Sequence, residues 1–283
     1  MKHFFSLKTG PWRLWHVVVS MLLTAPLIIS ISSFIKLAPA VSWISAGLLP
    51  MAFGIAGLAV IGVASFLKKQ NLFVHFSMLG NKPYSYIFWW GIAGGIFALG
   101  STYIYEMFAG FPHVAPKQIY DSMHLSDGVL TAIGYIISSC LIAPIFEEVL
   151  FRGILFKGLR DGMVNLSRDF LPKTTTHFIE RIALPVALIV SSYFFMVGHQ
   201  QEDQPLVYTF MFAMFAFVMS FIYAKTGSLA AAMVAHAFNN GVIVFANILF
   251  FDKPAPIYIL ILPLIVAGIC ILITIKIGQF FDT

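Results

Sequence analysis

The stretch Ala143-Pro144-Ile145-Phe146-Glu147-Glu148-Val149-Leu150-Phe151-Arg152-Gly153 sets two acids and an arginine inside an apolar run reaching from Gly128 to Phe156. A run of this length can cross the hydrocarbon core of a bilayer as a helix, which takes about 20 residues. Charge is costly there, so ionisable residues within a span mark a functional site by default. Whether this run lies in lipid or in a soluble core decides the fold.

The rest of the chain places it in lipid. The 283 residues are 59% hydrophobic and 10% charged, where soluble domains hold about 25% charged residues. Seven further apolar runs accompany the first, giving Trp15–Ile35, Val41–Phe66, Tyr84–Met107, Gly128–Phe156, Ile182–His199, Leu206–Ala224, Ser228–Phe250 and Pro256–Ile277. Backbone polar groups in lipid must be satisfied within the segment, so these runs are expected to be helices. The short alternating segments of a transmembrane barrel are absent. The expected fold is all-α, a polytopic membrane protein with about eight transmembrane helices. It divides into helices 1–3 with their loops (1–127), a core of helices 4–7 (128–250) and a final helix (251–283).

The cations support this segmentation. With a cytoplasmic N-terminus, the inner segments hold Lys2, Lys8 and Arg13, then Lys68, Lys69 and Lys82, then Lys157, Arg160, Arg168, Lys173 and Arg181, then Lys225 and Lys276. The outer segments hold Lys36, Lys117 and Lys253. That asymmetry follows the positive-inside rule with both termini cytoplasmic. The net charge of +5 therefore reads as topology signal and lipid-headgroup contact, not as a nucleic-acid surface. The first run has a rival reading as a signal peptide, with Ala38-Pro39-Ala40 as a small-residue cleavage site. Its length favours a retained helix. Ala109–Asp127 is expected as an outer loop and Lys157–Arg181 as a polar inner loop. Gly91–Gly95 reads as a site of close helix packing. Cys140 and Cys270 show neither metal-ligand spacing nor a disulfide framework.

The chemistry-bearing residues are few. Glu148 and Arg152, four apart, share a helix face and can pair. Glu147 points about 100° away and is left without a full partner, which suits a carboxyl meant to move a proton. Pro144 removes a backbone donor just before the pair and can free a carbonyl. The alternative is a structural ion pair that locks helices together. His199 ends the fifth run, where a histidine can also be simple interface polarity. His236 and Asn240, four apart on the seventh run, can reach a developing oxyanion or serve as interhelical hydrogen-bond glue. Helical rise puts Glu147 about 15 Å from Lys157 and His199 about 27 Å from Arg181. The two arms match only if the fifth helix tilts strongly, if residues near Arg181 lie below the membrane surface, or if the Lys157 end extends as helix beyond the bilayer.

In this order, Glu147-Glu148-x-x-x-Arg152, Phe195-x-x-x-His199 and His236-x-x-x-Asn240 resemble the motifs of the CAAX protease and bacteriocin-processing family, also called Abi or CPBP proteins. The resemblance covers roughly Gly128 to Phe250. It implies an intramembrane glutamic-type endopeptidase in which Glu147 activates water as general base. His199 would help hold that water or share the proton, His236 and Asn240 would stabilise the oxyanion, and Glu148 and Arg152 would support the site. It implies no cofactor and no metal. The partner expected is a membrane-associated protein or peptide substrate, possible lipidation included, with no nucleic acid. The location expected is a prokaryotic plasma membrane. Three rivals stand beside it. A zinc-dependent intramembrane protease would use the same histidines and glutamate, although His-Glu-x-x-His is absent. A proton-coupled transporter would use them as a relay, although no second copy of the double-glutamate segment is visible. A non-catalytic immunity or scaffold protein would not need Glu147.

Overall fold

In this computed structural model the described residues are 5, 7–22, 77–79, 82–109, 133, 135–199 and 206–249. The expected spans Val41–Phe66 and Pro256–Ile277, and nearly all of the expected outer loop, lie outside them. Among the described residues every regular element is helical. They are α1 (14–22), α2 (Tyr84–Ala109), a long helix α3 (135–170), α4 (Lys173–Gly198), α5 (Leu206–Thr226) and α6 (Leu229–Leu249). Lys173–Gly198 and Thr209–Thr226 are long and apolar enough to cross a membrane, and Leu229–Phe245 is a shorter apolar helix.

The α3 helix changes pitch along its length. Ser138–Ile142 and Val149–Lys157 are π-helical, and Ala143–Glu148 between them is α-helical. Such wide turns insert one residue per turn and re-aim the side chains that follow. The expected polar loop at Lys157–Arg181 is instead a helical hairpin: α3 continues through Gly158–Phe170, Leu171 and Pro172 form the turn, and α4 starts at Lys173. The physical reason is amphipathicity. Gly158, Asp161, Gly162, Val164 and Ser167 form a buried stripe at the spacing of one helix face. Polarity had suggested a loop where only one face is wet.

This hairpin also removes the mismatch in depth. From the turn, Glu147 lies about 35 Å up α3 and His199 about 39 Å up α4 at the usual helical rise. The arms are nearly equal, so both residues reach the same level.

The stripe on α3 packs against the N-terminal segment. Trp12, Leu7, Val17 and His16 are buried. Asn165 Nδ2 donates to the carbonyls of Gly10 (2.9 Å) and Trp12 (2.8 Å), and the Gly10 amide donates to Asp161 Oδ2 at 2.8 Å. Lys157, fully buried, pairs with Asp161 and donates to the Lys8 carbonyl at 3.0 Å. Residues 7–22 are thus part of the packed fold; the remainder of the first apolar run, and Ala38–Ala40 with it, lies outside the described residues.

The expected close packing at Gly91–Gly95 is observed. A Cβ at Gly95 would stand 2.6 Å from the Ala235 carbonyl oxygen, and one at Gly91 2.6 Å from the Val234 side chain. Only hydrogen at these positions lets α2 approach α6 this closely. Just before the N-terminus of α6, Gly227 (φ 69°) turns the chain out of α5 and donates to the Tyr223 carbonyl at 2.8 Å. The first amides of α6 would otherwise be orphaned. Those of Leu229 and Ala230 are taken up by the carbonyls of Ser77 (3.2 Å) and Met78 (3.0 Å).

Candidate active site

The α-helical turn between the two π stretches carries Glu147 and Glu148, which project about a quarter-turn apart. Glu148 is fully buried. Its Oε1 lies 3.1 Å from Arg152 Nη1, one turn on, and accepts a hydrogen bond from His236 Nδ1 at 2.8 Å. Arg152, equally buried, donates through Nη2 to the Ala216 carbonyl (3.2 Å) and lies with Cζ 4.6 Å from the Phe195 ring centroid. The expected Glu148–Arg152 pair is therefore present, and His236 joins it.

Glu147 faces the other way, toward two imidazoles. Its Oε2 lies 3.6 Å from His199 Nε2 and 3.8 Å from His236 Nε2. These separations exceed direct hydrogen-bond length and suit bridging through water. The opposite nitrogen of each ring is committed. His199 Nδ1 lies 2.8 Å from the Phe195 carbonyl oxygen, an acceptor only, so Nδ1 carries hydrogen there. The His199 amide, which would take that carbonyl in a continued α-helix, donates to the Met196 carbonyl instead (3.1 Å). His236 Nδ1 donates to Glu148. In the neutral rings both Nε2 atoms are then acceptors, and with Glu147 Oε2 they form a set of three acceptors around one point. Its natural occupant is a donor of protons.

Asn240 connects the site to the distortion in α3. In the π-helical stretch the Ala143 amide donates to the Ser138 carbonyl. By the same five-residue register the Ser139 carbonyl would take the amide of residue 144. Residue 144 is proline, which has none. Asn240 Nδ2 supplies the missing donor, at 2.8 Å from the Ser139 oxygen. Asn239 Nδ2 lies 3.2 Å from Asn240 Oδ1 and orients the amide. One N–H of Asn240 is thus engaged with backbone and the second is left for another acceptor. The carbonyl freed by Pro144 was legible in the sequence; its partner was not. A second contact that no motif signals joins α4 to α3, where Ser191 Oγ donates to the Phe151 carbonyl at 2.9 Å.

Glu147, Glu148, Arg152, His199 and His236 therefore lie in one cluster where α3, α4, α5 and α6 meet, and Asn240, one turn beyond His236, contacts α3 at Ser139. Among the described residues, no group of three or more His, Cys, Asp and Glu is gathered as a metal-ligand set.

Comparison with known proteins agrees in the same region. Residues 129–242 match the family described as type II CAAX prenyl endopeptidase Rce1-like. The "Putative membrane peptidase YdiL" of Bacillus subtilis (strain 168) is 26% identical over 159 residues, a match covering 56% of this chain and 56% of that protein. The chain thus matches little more than half the length of this curated relative. No solved structure matches.

Proposed function

We propose, on the premise that residues 129–242 belong to the Rce1-like family of CAAX prenyl endopeptidases, that this membrane protein is a glutamate-dependent intramembrane endopeptidase. It hydrolyses a peptide bond in a membrane-associated protein or peptide. One observation carries the reading: two imidazole Nε2 atoms converge on Glu147 Oε2 at 3.6 and 3.8 Å while each Nδ1 is held elsewhere.

The chemistry follows from donors and acceptors. A water in this pocket donates one hydrogen to Glu147 Oε2 and the other to an Nε2 acceptor. Its lone pair then faces the scissile carbonyl. Glu147 takes the proton as general base, and His199, in reach of the same oxygen, shares it and passes it to the leaving amine. No acyl-enzyme forms, since oxygen from water makes the new bond directly. For His236 to bind the oxyanion through Nε2 it must carry both ring protons; the Glu148 carboxylate at Nδ1 is the counter-ion for that state. Asn240 offers the oxyanion its second N–H. Arg152 holds Glu148 in place, which leaves Glu147 as the acid free to cycle.

Substrate reaches such a site along the membrane, within a prokaryotic plasma membrane and with both chain termini cytoplasmic. The test is reconstitution in liposomes with a library of membrane-tethered peptides, with and without a prenyl group. Wild type cleaves; Glu147→Ala and His236→Ala do not, although both fold. Undiminished cleavage by Glu147→Ala overturns the mechanism, and inhibition by a metal chelator reversed by zinc assigns the same residues to a metalloprotease instead.

A further inference from the structure

We propose that Phe212 and Phe215, on the helix that carries none of the candidate catalytic residues, are positioning residues that hold the planes of the two histidines. This rests on the hydrolytic reading above and adds α5 to its machinery. Neither residue falls in the motifs that mark the site.

A hydrogen bond at Nδ1 fixes one corner of an imidazole. It leaves the ring plane soft, because the outer torsion of histidine is broad. For Nε2 to stay on Glu147 Oε2, something must hold the plane. His199 needs this most. It is the residue at which α4 stops, with φ −106° and ψ 0°, and its side chain is 28% exposed. Its ring is sandwiched. Phe195 stacks on one face at 4.1 Å and 20°, and Phe212 on the other at 4.9 Å and 27°. Phe195 lies on the same helix as His199, so without Phe212 the outer face has no plate against it from a neighbouring helix.

His236 is held differently. Phe215 meets its ring edge-to-face, at 4.7 Å and 72°. Phe212 and Phe215 are three apart, hence on one face of α5. A single helix face thus sets one ring parallel and the other perpendicular, and the two Nε2 atoms converge on one carboxyl oxygen. Aromatic contacts of this kind stabilise beyond burial alone, but their kinetic weight is larger. Misplacement of a catalytic group by about 1 Å can cost on the order of 100-fold in rate.

The experiment measures kcat and KM for cleavage of one membrane-tethered peptide in liposomes. It compares wild type, Phe212→Leu, Phe212→Tyr, Phe215→Leu, the lipid-facing control Phe217→Leu and Glu147→Ala. Leucine keeps the apolar bulk and loses the flat ring; tyrosine keeps the ring. Phe212→Leu is expected to lower kcat about 10- to 100-fold with KM changed less than about twofold, and Phe212→Tyr to restore most of it. Phe217→Leu is expected to match wild type. Wild-type kcat in Phe212→Leu beside an inactive Glu147→Ala overturns the proposal and leaves the hydrolytic reading standing. So does a raised KM with kcat unchanged, which marks Phe212 as a substrate contact. Should Phe215→Leu fail to fold, the half-buried Phe212 decides alone. Full activity in Glu147→Ala overturns the hydrolytic reading and this proposal with it.

Discussion

Two residues show how a local defect is matched by a distant side chain. Pro144 deprives the Ser139 carbonyl of its amide, and Asn240 from α6 supplies a replacement at 2.8 Å. Asn240→Ala leaves a carbonyl without its donor and is expected to destabilise the protein by about 1–3 kcal/mol, read as a lower melting temperature in detergent. Pro144→Ala restores an amide at the right register, so the double variant Pro144→Ala/Asn240→Ala should recover much of that stability. Additive losses would show that Asn240 does not answer the proline. The second case is Arg152, wholly buried against Glu148. Arg152→Ala strands a buried carboxylate and should cost about 3–5 kcal/mol, along with the orientation of His236. Equal thermal stability of this variant and wild type would refute the pairing.

At the scale of elements, the site depends on how closely helices approach. Glycines on α2 let it sit directly against α6, and the contact at Ala235 is one residue from His236. Gly95→Ala would drive a methyl to 2.6 Å from a backbone oxygen. Backbone cannot yield as a side-chain tip does, so α6 must shift. The expected outcome is a lower melting temperature and reduced peptide cleavage in the same variant. An unchanged melting temperature would mean the helices are looser than this packing requires. The α3–α4 hairpin is the other decisive element. Its arms of nearly equal length bring Glu147 and His199 level, far from the turn where the charged residues collect.

For the molecule as a whole, the hairpin end is tied to the N-terminal segment. Asp161 receives the Gly10 amide, Lys157 and Arg160, and Arg13 pairs with Asp169. Asp161→Ala leaves Lys157 buried without its carboxylate, expected to cost about 3–5 kcal/mol. It should also expose residues 7–13 to limited proteolysis. Resistance equal to wild type would show that apolar contacts at Trp12 hold the segment unaided. Asp161 lies about 21 Å along α3 from Glu147, so limited proteolysis reports on the tie and not on the candidate site.

What the sequence determined by itself is the class and the cast. Apolar runs longer than a soluble core could hide require helices in lipid, because hydrocarbon offers the backbone no other partners. The cost of charge in lipid singles out Glu147, Glu148, Arg152, His199 and His236, with Asn240 following by helical spacing from His236. The tertiary structure alone decided how these residues are arranged around one another. Spacing along a helix could pair Glu148 with Arg152, but not reveal that His236 spans both acids. Composition marked 157–181 as polar, but one wet face and a wholly wet loop look alike until something packs on the other face. Phe212 and Phe215 were hidden for the same reason: in an apolar helix every phenylalanine reads alike, and only the neighbour it touches makes one a lipid contact and another a wall for an imidazole.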